Sequence, residues 1–169
     1  MYFGKIQKEI LMKAVDRGDK LRKFPYRYCE YTHYDNETVC ITNKTATALY
    51  VIPKDKVYLN MEKCFREEDK TNFKTLLDKA WYSDDITLTN EVRKIGKLSL
   101  AVFEYNGTKL YVDEKLLSAF PCQNPIYKKN GERSPVFIWE GDNLVGAVST
   151  FKIKEGWRCL KKLEQLWGY

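Results

Sequence analysis

The residue types that could do chemistry are few in this chain. Its single histidine, His33, follows Cys29 by four positions. A Cys/His nucleophile pair needs spatial adjacency and a third group to orient the base. On a strand, positions 29 and 33 share a face but lie about 13 Å apart along it. A direct pair would need the strand to bend, and zinc would need two further ligands that no spacing supplies. The two residues read more simply as a structural cysteine and a surface or turn histidine. Asp84-Asp85 is a carboxylate pair, but chain neighbours point to opposite sides of a strand. It reads as the end of a helix–strand connection rather than a metal site. The chain contains no Gly-rich phosphate loop, Gly-x-Ser-x-Gly, His-Glu-x-x-His or Walker pattern. No cofactor is implied, and the expectation is a protein without an enzymatic reaction.

Segment 17–34 carries the stronger signal. Arg17, Lys20, Arg22, Lys23 and Arg27 stand among Phe24, Tyr26, Tyr28 and Tyr31. Cations neutralise phosphates and tyrosines stack on bases, so the segment is a candidate nucleic-acid contact. Tyr- and Arg-rich surface is equally what protein interfaces use. The competing reading is a sheet whose aromatics enter the core, and the alternation of Phe24, Tyr26 and Tyr28 suits it. The candidate binding residues are therefore Arg17, Lys20, Arg22, Lys23, Tyr26, Arg27 and Tyr31, with no metal or catalytic residue among them.

These residues must be positioned by neighbouring elements. Ile6, Ile10 and Ala14 form a stripe that predicts a helix over 4–17, closed by Gly18. Phe24 to Tyr28 alternates like a strand. Short strands follow at 38–42, 46–52 and 57–59, joined by Asn36-Glu37, Asn43 to Thr45 and Pro53 to Asp55. Such short loops imply an antiparallel meander. Phe73, Leu76, Leu77, Ala80 and Trp81 follow the i, i+3, i+4, i+7, i+8 pattern of a helix over 69–82, whose face should pack on the sheet. Ile86 to Thr89 reads as a strand. Trp157, Leu160, Leu163 and Trp167 share one face of a last helix over 155–167.

The second half is organised by hairpins. Asn106-Gly107 separates Leu98–Tyr105 from Thr108–Val112, and both turn positions need φ > 0. Gly141 to Asn143 separates 134–140 from 144–153. A short helix, 113–120, lies between the hairpins, and one antiparallel sheet should hold both. The fold class expected is α+β, a single domain over 1–169, with N-terminal, central and C-terminal helices on one antiparallel sheet or two.

Composition bounds the rest. The chain has 169 residues and a net charge of +6. Residues 1–28 carry +5, residues 152–169 carry +3, and the body between them carries −2. Basic ends on a near-neutral body suggest an anionic partner, and a solvated surface is the plain alternative. The five cysteines (29, 40, 64, 122 and 159) show no pattern, and the first residues lack an apolar signal core. Both features point to a reduced, cytoplasmic protein. No run of about 18 apolar residues exists to span a membrane.

The order of elements in 96–153 resembles the repeating unit of the bacterial DNA sliding clamp, the polymerase processivity factor. Val112-Asp-Glu-Lys-Leu-Leu117 is similar to the start of that unit's helix. Ser134-Pro-Val136 with Leu144 to Val148 is similar to its closing hairpin. Where the clamp's closing strand ends in a Pro-x-Arg-like sequence, this chain has Thr150-Phe-Lys152. The resemblance implies a non-enzymatic binding protein acting on nucleic acid or a nucleic-acid-handling complex, with homo-oligomers joined through edge strands. The organisation is also similar to small accessory proteins of phages and mobile elements. That likeness implies an inhibitor of a host nuclease or defence protein, anti-CRISPR-like in style. The expected partners are thus nucleic acid or a nucleic-acid-binding protein.

Overall fold

The computed structural model describes residues 3–8, 30–42, 47–60, 66–67, 70–120, 122–151 and 153. The elements run β1 (Glu30–His33), β2 (Thr38–Thr42), β3 (Ala48–Pro53), β4 (Arg66–Glu67), α1 (Lys70–Trp81), β5 (Asp84–Asp85), β6 (Thr87–Ile95), β7 (Leu98–Tyr105), β8 (Thr108–Asp113), α2 (Glu114–Ser118), β9 (Pro125–Lys129), β10 (Val136–Glu140) and β11 (Asn143–Val148). Residues 3–8 are helical as well. The fold mixes helix with antiparallel sheet, as the α+β expectation has it.

Two sheets form. The larger has the order β4-β1-β2-β3-β11-β10-β9-β5, and the smaller β6-β7-β8. All pairings are antiparallel except β1 with β4. Alternation along the strands explains why three layers result. Val39, Ile41, Tyr50, Ile52, Val136 and Ile138 point to one face of the large sheet, where Phe103, Leu110 and Val112 of the small sheet meet them. Cys40, Leu49, Phe137 and Trp139 point to the other face, beneath Phe73, Leu77 and Ala80 of α1. Central strands covered on both sides read as continuous apolar runs, as 136–139 does. A third cluster on the outer face of the small sheet joins Leu100, Val102 and Tyr111 to Phe151 and Ile153.

Local chemistry sets the turns. Asn106 and Gly107 hold φ of 49° and 71° and close the β7–β8 hairpin with a two-residue turn. Asp113 caps α2, its carboxylate accepting the Lys115 N–H at 2.9 Å.

Several expectations need correction. The two hairpins do not share a sheet: β7–β8 lies in the small one and β10–β11 in the large one. The closing strand stops at Val148, and Phe151 instead exchanges backbone hydrogen bonds with Tyr111 of β8. Residues 57–59 form no strand. The Gln7 carboxamide takes their place in hydrogen bonding, accepting the Tyr58 and Leu59 N–H groups at 2.8 and 3.3 Å while donating to the Lys56 carbonyl at 2.7 Å. The strand expected over 86–89 runs instead from Thr87 to Ile95, and β9 had no counterpart in the pattern. Trp81 is 64% exposed rather than buried. At about 100° per residue, it sits roughly 75° from the centre of the arc that Phe73, Leu77 and Ala80 bury. The helix over 4–17 is described only at its start, and the strand over 24–28 and the helix over 155–167 lie outside the described residues. Among the described residues no helix is long and apolar enough to cross a membrane.

Candidate partner-binding surface

Arg17, Lys20, Arg22, Lys23, Tyr26 and Arg27 lie outside the described residues. Tyr31 is described and is 1% exposed, inside the cluster between the two sheets. Its ring meets His33 edge-on at 5.8 Å. A base cannot stack on a ring buried there, so Tyr31 is a core residue and leaves the candidate set. His33 itself is exposed, and Cys29 lies outside the described residues. Asp84 and Asp85 form the two-residue edge strand β5 against Lys129 and Lys128, and Asp85 pairs with the Lys128 ammonium at 3.5 Å. No group of three or more potential metal ligands occurs among the described residues.

The surface that stands out is the C-terminal end of α1. The helix closes there because Tyr82 and Ser83 donate their N–H groups to the Lys79 and Ala80 carbonyls at 3.3 and 3.4 Å. The Asn130 side chain also donates to the Lys79 carbonyl, at 3.1 Å. This termination sets Trp81 and Tyr82 side by side at 64% and 82% exposure. Trp81 is not adrift: it meets the buried Trp139 edge-on, with ring centroids 5.0 Å apart. The Lys128 ammonium lies 5.4 Å from the centre of the Trp139 ring. The indole N–H of Trp139 is buried without a hydrogen-bond partner. On the flank of α1, the Tyr34 hydroxyl donates to Asp78 at 3.3 Å. Burial, and after it the Asp78 carboxylate, raises the Tyr34 pKa, so that phenol stays a neutral donor.

Such a platform offers large, stiff aromatic contact area with the Lys128 ammonium close by. Aromatics of this kind anchor interfaces or stack on exposed bases. The periodic pattern assigned Trp81 to the core and passed over Tyr82. The available signal was positional: two adjacent aromatics at a helix end, followed at once by Ser83-Asp-Asp85.

A second feature is a cavity of about 350 Å³ between β6, α2 and β9. Its wall includes Cys122 and Tyr127, whose pKa values are both raised, chiefly by burial. Cys40, beneath α1, is pushed further, up to about 12, again mainly by burial. At pH 8, iodoacetamide should therefore leave Cys40 unmodified in the folded protein and label it readily in denaturant, as peptide mass spectrometry would show. Labelling of Cys40 as fast as in denaturant would contradict its place under the helix. The sign for stability follows from the same burial. The unfolded thiol ionises first, so the Cys40 contribution is complete below about pH 8.5 and falls as pH rises towards 12, by at most about 1.4 kcal/mol per pH unit.

No family model matches the chain, and no curated protein or solved structure matches it.

Proposed function

We propose that this chain is a binding protein without a reaction of its own, acting on nucleic acid or on a nucleic-acid-handling complex. The observation that carries the reading is the exposed pair Trp81 and Tyr82, with the Lys128 ammonium 5.4 Å from the ring of Trp139 that Trp81 meets. The concentration of +5 charge in residues 1–28 supports it. Stacking on such rings contributes about 1–3 kcal/mol per base, and cations supply the sequence-independent attraction to phosphate. In the clamp-like version, copies join through sheet edges.

A second reading is an inhibitor, phage- or mobile-element-like, that occupies the nucleic-acid site of a nuclease or defence protein. Asp78, Asp84 and Asp85 favour it, because three carboxylates near the aromatic pair repel phosphates and suit a protein surface of mixed charge.

Fluorescence anisotropy with a labelled single-stranded oligonucleotide tests the first reading. Affinity should fall steeply between about 50 and 200 mM salt, and the slope of log K against log [salt] should shrink by about 0.7 for each phosphate that a variant no longer neutralises. Charge reversal at Arg22 and Lys23 should reduce that slope. Absence of binding at low salt would overturn the nucleic-acid reading. Binding confined to a nuclease, with loss of its activity, would select the second.

A further inference from the structure

Buried polar groups in a folded protein almost always find a hydrogen-bond partner. Trp139 departs from that rule. It is 5% exposed, and its indole Nε1–H meets no acceptor among the described residues. The reason lies in its position on the strand. Along β10 the side chains alternate, and Trp139 falls on the α1 face of the large sheet with Phe137. Its cross-strand partners there are Ile126 and Leu144, both aliphatic. Neither side chain can accept a hydrogen bond.

This donor lies one side chain away from solvent. Trp81 meets the Trp139 ring edge-on with centroids 5.0 Å apart, and is itself 64% exposed. Ile126, directly opposite Trp139 in the register, is 41% exposed. The Lys128 ammonium stands 5.4 Å from the ring centre, and Asp85 holds it at 3.5 Å. The one cation shown at the ring is thus already neutralised, so a phosphate gains little here. The chemistry that fits is a neutral acceptor carried on a flat group that can lie against Trp81 and Tyr82. A nucleobase has both, with keto oxygens or ring nitrogens on its edge and a π-face above and below. In a duplex the faces are stacked and the pairing edge is used. Only an unpaired base offers face and edge together.

We propose that Trp139 is a specificity-determining residue of this surface. Its indole N–H donates to the edge of an unpaired base, and Trp81 is the cover that moves to admit it. The inference rests on the nucleic-acid reading of Trp81 and Tyr82 and narrows it to single strands recognised through their bases. Trp81 can leave at small cost, because it touches Trp139 only edge-on and is mostly in water. Its ring then stacks on the face of the admitted base, and Tyr82 extends the platform. Attraction to the phosphates comes from elsewhere in the chain, whose first 28 residues carry +5.

The test compares three fluorescein-labelled ligands of equal length on the full chain at low salt: oligothymidylate, an abasic strand and a blunt duplex. Oligothymidylate should bind at least about tenfold more tightly than the abasic strand, which keeps the phosphates and lacks the bases. In NMR spectra of the parent chain, the Trp139 indole N–H, assigned by its through-space contacts to Ile126 and Leu144, should move downfield with oligothymidylate and stay in place with the abasic strand. Trp139→Phe keeps an aromatic ring and removes the donor. It should weaken oligothymidylate at least about fivefold and leave the abasic strand unchanged. An unmoved Trp139 resonance in a chain that binds oligothymidylate would overturn this inference and leave the nucleic-acid reading standing. Equal affinity for the abasic strand or the duplex, or parental affinity in Trp139→Phe, would do the same. Failure of all three ligands to bind would overturn both.

Discussion

Replacing Gly146 with alanine should destabilise the protein by about 3 kcal/mol and lower its melting temperature by roughly 6–12 °C. Gly146 lies on β11 opposite Ile138 and Tyr50. A Cβ there would collide with the Leu49 carbonyl and with the Phe120 ring. Neither neighbour gives way easily. The carbonyl belongs to the paired strand β3, and Phe120 is 6% exposed and stacked on Tyr50 at 4.7 Å. The expected loss is therefore that of an overfilled core, not of backbone propensity. Gly131→Ala is the control: its φ is +73°, but nothing lies within 4 Å of the added Cβ, so only conformational strain of about 1–2 kcal/mol is expected. Thermal unfolding of both variants decides the matter. A Gly146→Ala protein as stable as the parent would show that Phe120 does not seal the space above β11.

The second large effect belongs to α1. Leu77 is 1% exposed and packs with Phe73 and Ala80 onto Cys40, Leu49 and Phe137. Leu77→Ala should cost about 2–5 kcal/mol through reduced burial and the cavity left behind. Trp81→Ala, on the same helix, should cost under about 1 kcal/mol, because its ring touches Trp139 only edge-on and is mostly in water. Denaturant unfolding of the pair would separate them. Equal losses, or a larger loss at Trp81, would contradict the packing described for this helix.

That contrast also shows which parts of the fold were legible in the sequence. Asn106-Gly107 announced its hairpin because the turn chemistry is local, and the short helix expected over 113–120 is present as α2. Phe73 and Leu77 were legible from their spacing alone. The assignment of hairpins to sheets was not, because it depends on β3 pairing with β11 about a hundred positions away, at Ala48 and Val148. Strands of two residues, such as β5, carry no periodicity to read. Gln7 gave no sign that it would satisfy the backbone at Tyr58 and Leu59, since that contact exists only once the fold does. The candidate site was less legible still. Aromatic alternation cannot tell a ring on the surface from one in the core, and Tyr31 proved to be in the core. Trp81 went the other way, as the last residue of a helix turned away from the buried arc. Tyr82, beyond the helix, matched no pattern.

The central claim is that Trp81 and Tyr82 form a recognition surface rather than part of the scaffold. The most direct measurement compares the parent chain with the Trp81→Ala, Tyr82→Ala double variant in two assays, thermal unfolding and oligonucleotide anisotropy at low salt. The account predicts a melting temperature within about 3 °C of the parent and an affinity at least about tenfold lower, the equivalent of one to two unstacked bases. A double variant that binds as tightly as the parent, or one that fails to bind only because it has unfolded, would contradict it.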